Sequence, residues 1–275
     1  MNASVDLRRR ALCALLAVFV ASCTIEEKPD EKRDIESVYD TSYADVYDLL
    51  WLEQNKYKWE VDEVTATIRI PRSEVRILDS GCGTGTHYSY LAKSYQVVGL
   101  DISDAMVRVA KQKNPSGQFV VGDMKDRSLF GPASFSHIIS MYEATFYNRE
   151  LVEILGNYSH WLRDDGVLML ETIDPEKLAE RVNSDHPPRY HQQTEKMTKV
   201  AWWKLPGKDD VVIYHEELRF SDGREVVKEH VLYLPRLSEL ENVAAEQGFR
   251  LSGKKTSPFF PEEVLYVFEK RKRNP

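Results

Sequence analysis

Short apolar runs recur through the middle of the chain, and the first three of them end in an aspartate. They occupy residues 75–79, 96–101, 119–123, 135–141 and 167–173. Near-continuous apolar runs of this length are typical of strands buried on both faces of a parallel sheet. Apolar residues between the runs return every three or four positions, as they do along one face of a helix. The pattern therefore predicts alternating strands and helices, which favours a doubly wound α/β fold.

Two of the helices have clear signals at their start. Residues 148–162 are predicted to form the most regular helix, with Asn148 in the capping position. A second helix is predicted to begin after Ser103, whose hydroxyl can accept a hydrogen bond from the first turn. The apolar stripe of the first of these helices follows the i, i+3, i+4, i+7 spacing of a buried face: Leu151, Ile154, Leu155, Tyr158 and Leu162.

The pattern changes after residue 175. Residues 186–203 are irregular, and residues 211–220 and 224–234 form two long, partly alternating runs joined by a three-residue turn that ends in Gly223. Such a pair is typical of an antiparallel hairpin. We predict an antiparallel insert over 186–234, then a helix that stops at Gly248, and a closing pair of strands near 250–254 and 264–268.

The amino-acid composition excludes several classes of protein and disfavours some binding partners. Of 275 residues, 42% are hydrophobic and 29% are charged, which excludes a disordered chain and a multi-span membrane protein. The 37 basic and 44 acidic residues give a net charge of −7, so nucleic acid is a disfavoured partner, because phosphate contacts need a basic face. Three cysteines are too few for a disulfide framework, and their spacing suggests no metal site.

The first residues have the pattern of a targeting segment. Three arginines precede an uncharged run at 11–22, which is too short to span a bilayer as a helix. Residues 20–23, Val-Ala-Ser-Cys, resemble a bacterial lipobox, in which Cys23 would be lipidated. We therefore predict a signal- or lipoprotein-like leader over 1–23 with attachment to a membrane, a charged linker over 24–36, and a basic tail over 271–275. The alternative is a cytoplasmic protein whose leader is uncleaved or misassigned.

The chemistry of the chain is concentrated in residues 79–85, Asp-Ser-Gly-Cys-Gly-Thr-Gly. Glycines at this spacing allow a sharp strand-to-helix turn and a close approach of a ligand to the backbone. Dinucleotide-binding enzymes need a third glycine where this chain has Thr86, which disfavours a nicotinamide oxidoreductase. Asp101 ends the next apolar run, and its carboxylate can accept hydrogen bonds from both hydroxyls of a ribose. An adenosine-containing cofactor fits both features.

The order of these elements resembles the class I S-adenosylmethionine (SAM)-dependent methyltransferases. The resemblance rests on Asp79 at the end of the first strand, the G-x-G-x-G turn, Asp101 after the second strand and Gly122-Asp123-Met124 after the third. It implies a domain over 37–270 with a Rossmann-like, doubly wound, seven-stranded and mostly parallel sheet. Helices would cover both faces, and the antiparallel hairpin insert would follow the fifth strand. It also implies SAM as cofactor and no metal.

The resemblance further assigns the cofactor-binding residues. The turn would run along the methionine part of SAM, the acid after the second strand would hold the ribose, and residues after the third strand would contact the adenine. The residues after the fourth strand would border cofactor and acceptor, and an N-terminal aromatic stretch would close over the cofactor. In chain order these residues are Tyr39, Tyr47, Asp79, Gly81, Cys82, Gly83, Asp101, Ile102, Asp123, Met124 and Met141.

Methyl transfer from a sulfonium needs mainly alignment, and a general base is needed only when the acceptor must lose a proton. The sequence therefore assigns no catalytic residue, and the candidates are Tyr142, Glu143 and Tyr147. Residues 140–143 lack the Asn/Asp-Pro-Pro-Tyr signature of enzymes that methylate nucleic-acid amino groups, which favours a small-molecule acceptor. The alternative function is a catalytically silent SAM-binding or partner-binding module. Further polar and aromatic residues of the insert are interpreted as structural: Trp202, Trp203, His215, Glu216 and His230.

Overall fold

The computed structural model describes residues 35, 37–51, 54–207 and 210–272. The predicted leader, all of the linker except Ile35, and the last three residues of the predicted tail lie outside the described residues. Among the described residues, no helix is long and apolar enough to cross a membrane.

Helices and strands alternate through the first half of the chain, as predicted. The helices are α1 Thr41–Ala44, α2 Tyr47–Leu50, α3 Gln54–Thr67, α4 Thr86–Leu91, α5 Asp104–Lys113, α6 Leu151–Trp161, α7 Pro175–Val182 and α8 Leu237–Glu246. The strands are β1 Arg76–Ser80, β2 Gln96–Asp101, β3 Gln118–Val121, β4 Phe135–Ser140, β5 Leu162–Ile173, β6 Arg189–Gln193, β7 Met197–Lys204, β8 Val211–Phe220, β9 Glu225–Tyr233, β10 Phe249–Thr256 and β11 Glu263–Lys270.

The larger sheet has seven strands in the order β10-β11-β5-β4-β1-β2-β3. Its centre is parallel: β1 pairs with β2 on one side and with β4 on the other. Of the seven strands described in this sheet, β11 alone runs opposite to the others, because it pairs antiparallel with both β10 and β5. The chain order reverses direction on either side of β1, and in open α/β sheets ligands bind at the carboxyl ends of strands beside such a point. The predicted seven-stranded, mostly parallel sheet is confirmed.

Apolar layers cover both faces of this sheet. Neighbouring residues of β1 point to opposite faces, so Leu78 packs in one apolar cluster and Ile77 in the other. Helix α6 contributes Ile154, Tyr158 and Trp161 to the Leu78 cluster, all fully buried. Burial of a large apolar side chain stabilises the fold by roughly 1.5–3 kcal/mol. The two-layer packing holds the carboxyl end of β1 in a fixed position.

The insert lies within its predicted bounds, 186–234, but it contains more strands than the predicted hairpin. It forms a separate four-stranded antiparallel sheet in the order β6-β7-β8-β9, in which β8 and β9 are the expected hairpin. Residues 189–193 and 197–204 form two further strands where the sequence pattern is irregular. The alternation along β7 is hidden because Lys199, a charged residue, is on its buried side with Met197 and Ala201.

One predicted helix start is confirmed and one is wrong. Ser103 caps α5, and its Oγ accepts a hydrogen bond from the Met106 amide at 3.1 Å. Helix α6 begins only at Leu151, after Glu150. Asn148 is extended and buried, and its side-chain amide donates to the Thr145 carbonyl at 3.5 Å instead of capping the helix. The predicted cap is therefore displaced by two residues, because Asn148 closes the preceding turn.

Candidate functional site

The turn after β1 needs glycine for two different reasons. Gly81 and Gly83 have φ values of 78° and 52°, which L side chains rarely adopt. A Cβ at Gly81 would lie 2.2 Å from the Cβ of Ala144, whereas a Cβ at Gly83 would meet only a ring carbon of Tyr47 at 3.9 Å. The Gly81 amide donates to the Leu100 carbonyl at 2.7 Å, which anchors the turn to β2. The backbone at Gly83 is thus the part of the turn that a ligand can approach.

Asp101 at the end of β2 is held in one orientation by the backbone. Its Oδ2 accepts the Gly83 amide at 2.8 Å, and its Oδ1 accepts the Ser103 amide at 2.9 Å. Burial raises the pKa of the Asp101 carboxyl, and the hydrogen bonds from the Ser103, Gly83 and Ile102 backbone oppose that rise. Each carboxylate oxygen has two lone pairs. The carboxylate can therefore accept two further hydroxyl groups without moving.

Asp79 and Cys82 lie behind this surface and do not line a cavity. Asp79 is buried, and its Oδ2 has no hydrogen-bond partner among the described residues. Burial raises the pKa of Asp79 to about 6, an effect that His87 opposes. Burial also raises the pKa of the Cys82 thiol well above its ordinary value. A thiol of this kind is a poor nucleophile, which agrees with its interpretation as a filler of the turn.

The residues after β3 are fixed by their neighbours. The Gly122 amide donates to the Asp101 carbonyl at 2.9 Å, so the two strand ends are joined. The Oδ1 of Asp123 accepts the Lys125 amide at 2.9 Å. The sulfur of Met124 accepts the hydroxyl of Tyr158 at 3.3 Å.

A first cavity brings most of the predicted cofactor-binding residues together. It opens at the carboxyl ends of β1, β2, β3 and β4, and helix α2 and the segment before α1 contribute tyrosines. Asp79 and Cys82 are absent from its lining, while Tyr142 and Tyr147, predicted as catalytic candidates, are part of it. The predicted residues that line it are Tyr39, Tyr47, Gly81, Gly83, Asp101, Ile102, Asp123, Met124 and Met141.

A second cavity of about 510 Å³ lies between the two sheets. This volume is in the range of small-molecule sites, roughly 300–1,000 Å³. Glu143 lines this cavity, and Trp203 lines it whereas Trp202 does not. The two cavities share four tyrosines, so they meet at these side chains: Tyr39, Tyr47, Tyr142 and Tyr147.

One wall of the second cavity carries a buried cluster of charges, which we name the Lys56 cluster. The Nζ of Lys56 lies 2.9 Å from Glu263, 3.0 Å from Glu171 and 3.5 Å from Glu60. Burial raises the pKa of Glu263 to about 8, and the attraction of Lys56 opposes that rise. Burial raises the pKa of Glu60 as well. Three carboxyl groups thus surround a single ammonium group.

Glu143 adds a fourth carboxyl group beside this cluster. Its Oε1 is buried and has no hydrogen-bond partner among the described residues. Burial, followed by the charge of Glu171, raises the pKa of Glu143, while Lys56 lowers it. A carboxyl group that lines a cavity and lacks a partner can accept a hydrogen bond from a ligand.

The backbone at the junction of the cavities is strained. Tyr142 and Glu143 are consecutive non-glycine residues with φ values of 51° and 55°. Each such residue costs about 1–3 kcal/mol and persists only where its surroundings hold it. Glu171 accepts the Tyr142 amide at 2.7 Å, and the Nζ of Lys56 lies 4.0 Å from the Tyr142 ring centroid. The Lys56 cluster therefore fixes the segment that borders both cavities.

The sequence analysis missed this cluster. Helix α3, which carries Lys56 and Glu60, received no prediction, and the i, i+4 spacing of that pair is typical of a solvated helix face. A usable signal was Glu171, a charged residue inside the apolar run of β5.

A second buried network connects the insert to the junction. His230 on β9 lies 2.9 Å from Glu216 through Nε2 and 2.8 Å from the Tyr147 hydroxyl through Nδ1. The Tyr147 hydroxyl lies 2.7 Å from the Tyr39 hydroxyl. His215, the other histidine candidate, instead contacts Glu229 at 3.0 Å and does not line either cavity.

No group of side chains that could hold a metal ion is found among residues 35, 37–51, 54–207 and 210–272. The arrangement there offers carboxylates, phenols, an imidazole and exposed backbone amides.

Comparison with known proteins identifies the fold. Residues 77–166 match a family described as a methyltransferase domain. The chain is 31% identical over 140 residues to a dTDP-3-amino-3,4,6-trideoxy-alpha-D-glucopyranose N,N-dimethyltransferase of Streptomyces venezuelae. The match covers 49% of this chain and 58% of the relative, so the chain spans little more than half of that protein's length.

Two solved structures extend the likeness over most of the chain. The crystal structure of Streptomyces venezuelae DesVI superposes with a TM-score of 0.70 at 24% identity, and covers 84% of this chain and 98% of that one. SAM-bound CalS10, an amino pentose methyltransferase from Micromonospora echinaspora, superposes with a TM-score of 0.66 at 24% identity, with 82% and 96% covered. These likenesses establish the Rossmann-like fold of SAM-dependent methyltransferases.

Proposed function

We propose that this chain, whose fold is that of the SAM-dependent methyltransferases, binds SAM and transfers its methyl group to a small-molecule amine. The observation that carries the cofactor part is Asp101, a half-buried carboxylate held by the Gly83 and Ser103 amides beside an open glycine turn. The second cavity supports the acceptor part, because it meets the first at shared tyrosines and has a wall of carboxyl groups.

The residues of the first cavity fit SAM. The open backbone at Gly83 can receive the methionine part, and Asp101 can hold the ribose hydroxyls. The unpartnered Oδ2 of Asp79 can accept a hydrogen bond from a cationic amino group near the turn. Asp123 and Met124 can border the adenine. SAM, when bound, supplies a methyl group on a sulfonium that leaves as a neutral thioether.

An amine is the acceptor that the second cavity favours. Of the four carboxyl groups near Lys56, those of Glu143 and Glu263 line this cavity, and those of Glu60 and Glu171 are buried behind it. The lining also includes Glu262, Arg189 and Lys199. Carboxyl groups in this part of the lining attract the cationic amino group of an acceptor. The Streptomyces venezuelae relative is named as a methyltransferase of an amino sugar, which agrees with this choice.

The protein's contribution to such a reaction is mainly positioning. Holding two reactants in line can supply roughly 7–11 kcal/mol of the barrier. Tyr142 and Glu143 are fixed by their contacts with the Lys56 cluster, so the junction keeps its shape when ligands enter. An amine must be uncharged to attack, and the cavities therefore need a group that accepts its proton.

The test is transfer of labelled methyl from SAM, with the full chain, to a panel of small amines and matched alcohols. The panel includes the dTDP-linked amino sugar named for the relative. We expect label on amines and none on alcohols. Glu143→Gln should lower kcat/KM for the amine by about tenfold or more, because a hydrogen bond to a charged group contributes about 1.5–3 kcal/mol. Glu153→Gln, an exposed residue of α6, is the matched control and should leave the rate unchanged.

Two results would contradict the proposal. Binding of SAM without transfer to any acceptor would support the silent-module alternative. Label on alcohols in preference to amines would refute the amine assignment while leaving the cofactor assignment intact.

We also propose that the leader over 1–23 attaches the protein to a membrane through Cys23. The support is the basic, apolar and small-residue order of this segment. Expression in a bacterium followed by mass spectrometry of the mature N-terminus tests it. We expect a lipidated Cys23 in the membrane fraction and loss of membrane attachment in Cys23→Ser. An intact Met1 in the soluble fraction would favour the cytoplasmic alternative.

A further inference from the structure

A continuous line of four polar side chains runs from the insert sheet to the junction of the cavities. Glu216 on β8 contacts His230 on β9 at 2.9 Å. His230 contacts the Tyr147 hydroxyl at 2.8 Å, and Tyr147 contacts Tyr39 at 2.7 Å. Glu216 and His230 are almost fully buried, while Tyr147 and Tyr39 line both cavities. Every step has the length of a good hydrogen bond.

The charge of Glu216 determines which group donates and which accepts in each hydrogen bond along this line. Burial raises the pKa of Glu216, but the hydrogen bond of His230, the charge of Lys199 and the hydrogen bond of Tyr43 lower it. The ionised carboxylate can only accept hydrogen bonds, so the Nε2 of His230 must donate. In the neutral imidazole the Nδ1 is then the acceptor, and the Tyr147 hydroxyl donates to it. Tyr147 in turn accepts from Tyr39, which leaves the lone pairs of the Tyr39 oxygen for a ligand.

We propose that Tyr39, Tyr147 and His230 form a proton relay that accepts the proton of the acceptor amine, with Glu216 holding the imidazole in the receiving tautomer. This inference rests on the proposed methylation of an amine. Tyr39 touches the ligand, whereas Tyr147, His230 and Glu216 act through it and are positioning residues. In this arrangement a carboxylate orients an imidazole, and the imidazole then accepts a proton from a hydroxyl.

The acceptor ammonium gives one proton to the Tyr39 oxygen, the Tyr39 hydroxyl proton passes to Tyr147, and the Tyr147 proton passes to the Nδ1 of His230. The amine lone pair then forms the nitrogen–carbon bond while the carbon–sulfur bond breaks and the sulfonium becomes a thioether. The methylated product keeps its positive charge. The proton on His230 returns along the same line to water after the product leaves.

The surroundings of His230 favour a transient positive charge. Its ring is bordered by tyrosines from the N-terminal segment, the turn before α6 and β8, with ring centroids 5.7–6.2 Å away. The charged groups that face it are the Glu216 carboxylate at 2.9 Å and, on the far side of that carboxylate at 3.5 Å, Lys199 of β7. An imidazolium would therefore form beside its counter-ion. The tyrosines around the ring are Tyr39, Tyr43, Tyr147 and Tyr214.

The first test needs no acceptor. Nitrogen-15 NMR of histidine-labelled full chain, saturated with S-adenosylhomocysteine at neutral pH, reports which ring nitrogen of His230 carries the proton. The signals are assigned by their absence in His230→Asn. We expect a protonated Nε2 and an unprotonated Nδ1 whose shift changes in Tyr147→Phe. A protonated Nδ1 in the neutral ring, or an Nδ1 that Tyr147→Phe leaves unchanged, would overturn the relay.

The second test compares two amine acceptors of similar size. One is an alkylamine, charged at neutral pH, and the other is an aromatic amine, uncharged at that pH. We expect Tyr147→Phe and Glu216→Gln to lower kcat/KM for the alkylamine by about 10²-fold, the lower end of general base effects, with less than threefold change for the aromatic amine. Glu217→Gln, the half-exposed neighbour on β8, is the matched control and should change neither rate.

The outcomes separate the two proposals. An equal fall in kcat/KM for both amines would mean that the network only shapes the site. That result overturns the relay, while the proposed methylation stands. No transfer to any amine by the unmodified chain would refute the proposed function and the relay with it. A fall in kcat/KM for the alkylamine alone supports both the relay and the proposed methylation.

Discussion

Replacement of Asp101 by alanine is the sharpest test of the cofactor site. The Asp101 side chain is half-buried, and each of its carboxylate oxygens already accepts one backbone amide, at 2.8 and 2.9 Å. One lone pair on each oxygen is left, which matches the two hydroxyls of a ribose. Asp101→Ala removes both acceptors at once and leaves the turn without its anchor at Gly83.

The expected loss can be worked from this geometry. A hydrogen bond to a charged group contributes about 1.5–3 kcal/mol, so two of them contribute about 3–6 kcal/mol. Because 1.4 kcal/mol is a factor of ten, the Kd for SAM should rise by about 10²–10⁴-fold. The Kd for S-adenosylhomocysteine should rise by a similar factor, since the ribose is common to both.

Titration calorimetry of the full chain with both ligands measures the effect. Asp104→Ala is the matched control, because Asp104 is an exposed acid in the first turn of α5 and lies outside both cavities. Thermal unfolding of each variant checks that the fold is kept. A Kd for Asp101→Ala within threefold of the unmodified chain would refute the assignment of Asp101 to the ribose.

Three predictions concern stability, each measured by urea unfolding. Gly81→Ala should lower the free energy of unfolding by about 1–3 kcal/mol more than Gly223→Ala, because both residues have positive φ but, of the two, only Gly81 lacks room for a Cβ. An equal loss in the two variants would contradict this. Lys56→Met should lower the free energy of unfolding by about 3–5 kcal/mol, because it leaves buried carboxyl groups unpaired. Lys58→Met, at an exposed position, is the control, and a loss under 1 kcal/mol for Lys56→Met would contradict this prediction. Burial raises the pKa of Glu263 from 4.5 to about 8, so its stabilising contribution is full below pH 4.5 and lost through pH 8. Glu263→Gln should flatten the fall in stability between pH 5 and 9, and an unchanged slope would contradict this.

The sequence predicted the fold well wherever burial produces a simple pattern. Strands β1 to β4 are buried on both faces or end at glycines, so their apolar runs mark them to within one or two residues. The insert was harder because Lys199 occupies a buried position of β7, where its Nζ donates to the Leu50 carbonyl at 3.1 Å. A charge satisfied by distant backbone breaks the alternation that strand prediction depends on.

Only part of the candidate site could likewise be predicted from the sequence. The cofactor side was predictable because its residues follow strand ends in a fixed order, and the structure gathers nine of the eleven predicted residues around one cavity. The charge cluster was not predictable, because Lys56, Glu171 and Glu263 come from three separate elements and meet only in the fold. Their spacing in the sequence carries no information about that meeting.

In the proposed methylation of an amine, the two parts of the site solve one electrostatic problem. A sulfonium and an alkylammonium are both cations, and their approach to contact distance in a dry site is unfavourable. Carboxyl groups at Glu143 and in the Lys56 cluster lower the cost of bringing the second cation in, but they also favour its charged form, which cannot attack. A site with this wall alone would bind the amine and hold it unreactive. The proton therefore needs an acceptor near the shared tyrosines, and His230, which is paired with Glu216, is a buried group that contacts the hydroxyl of one of them, Tyr147.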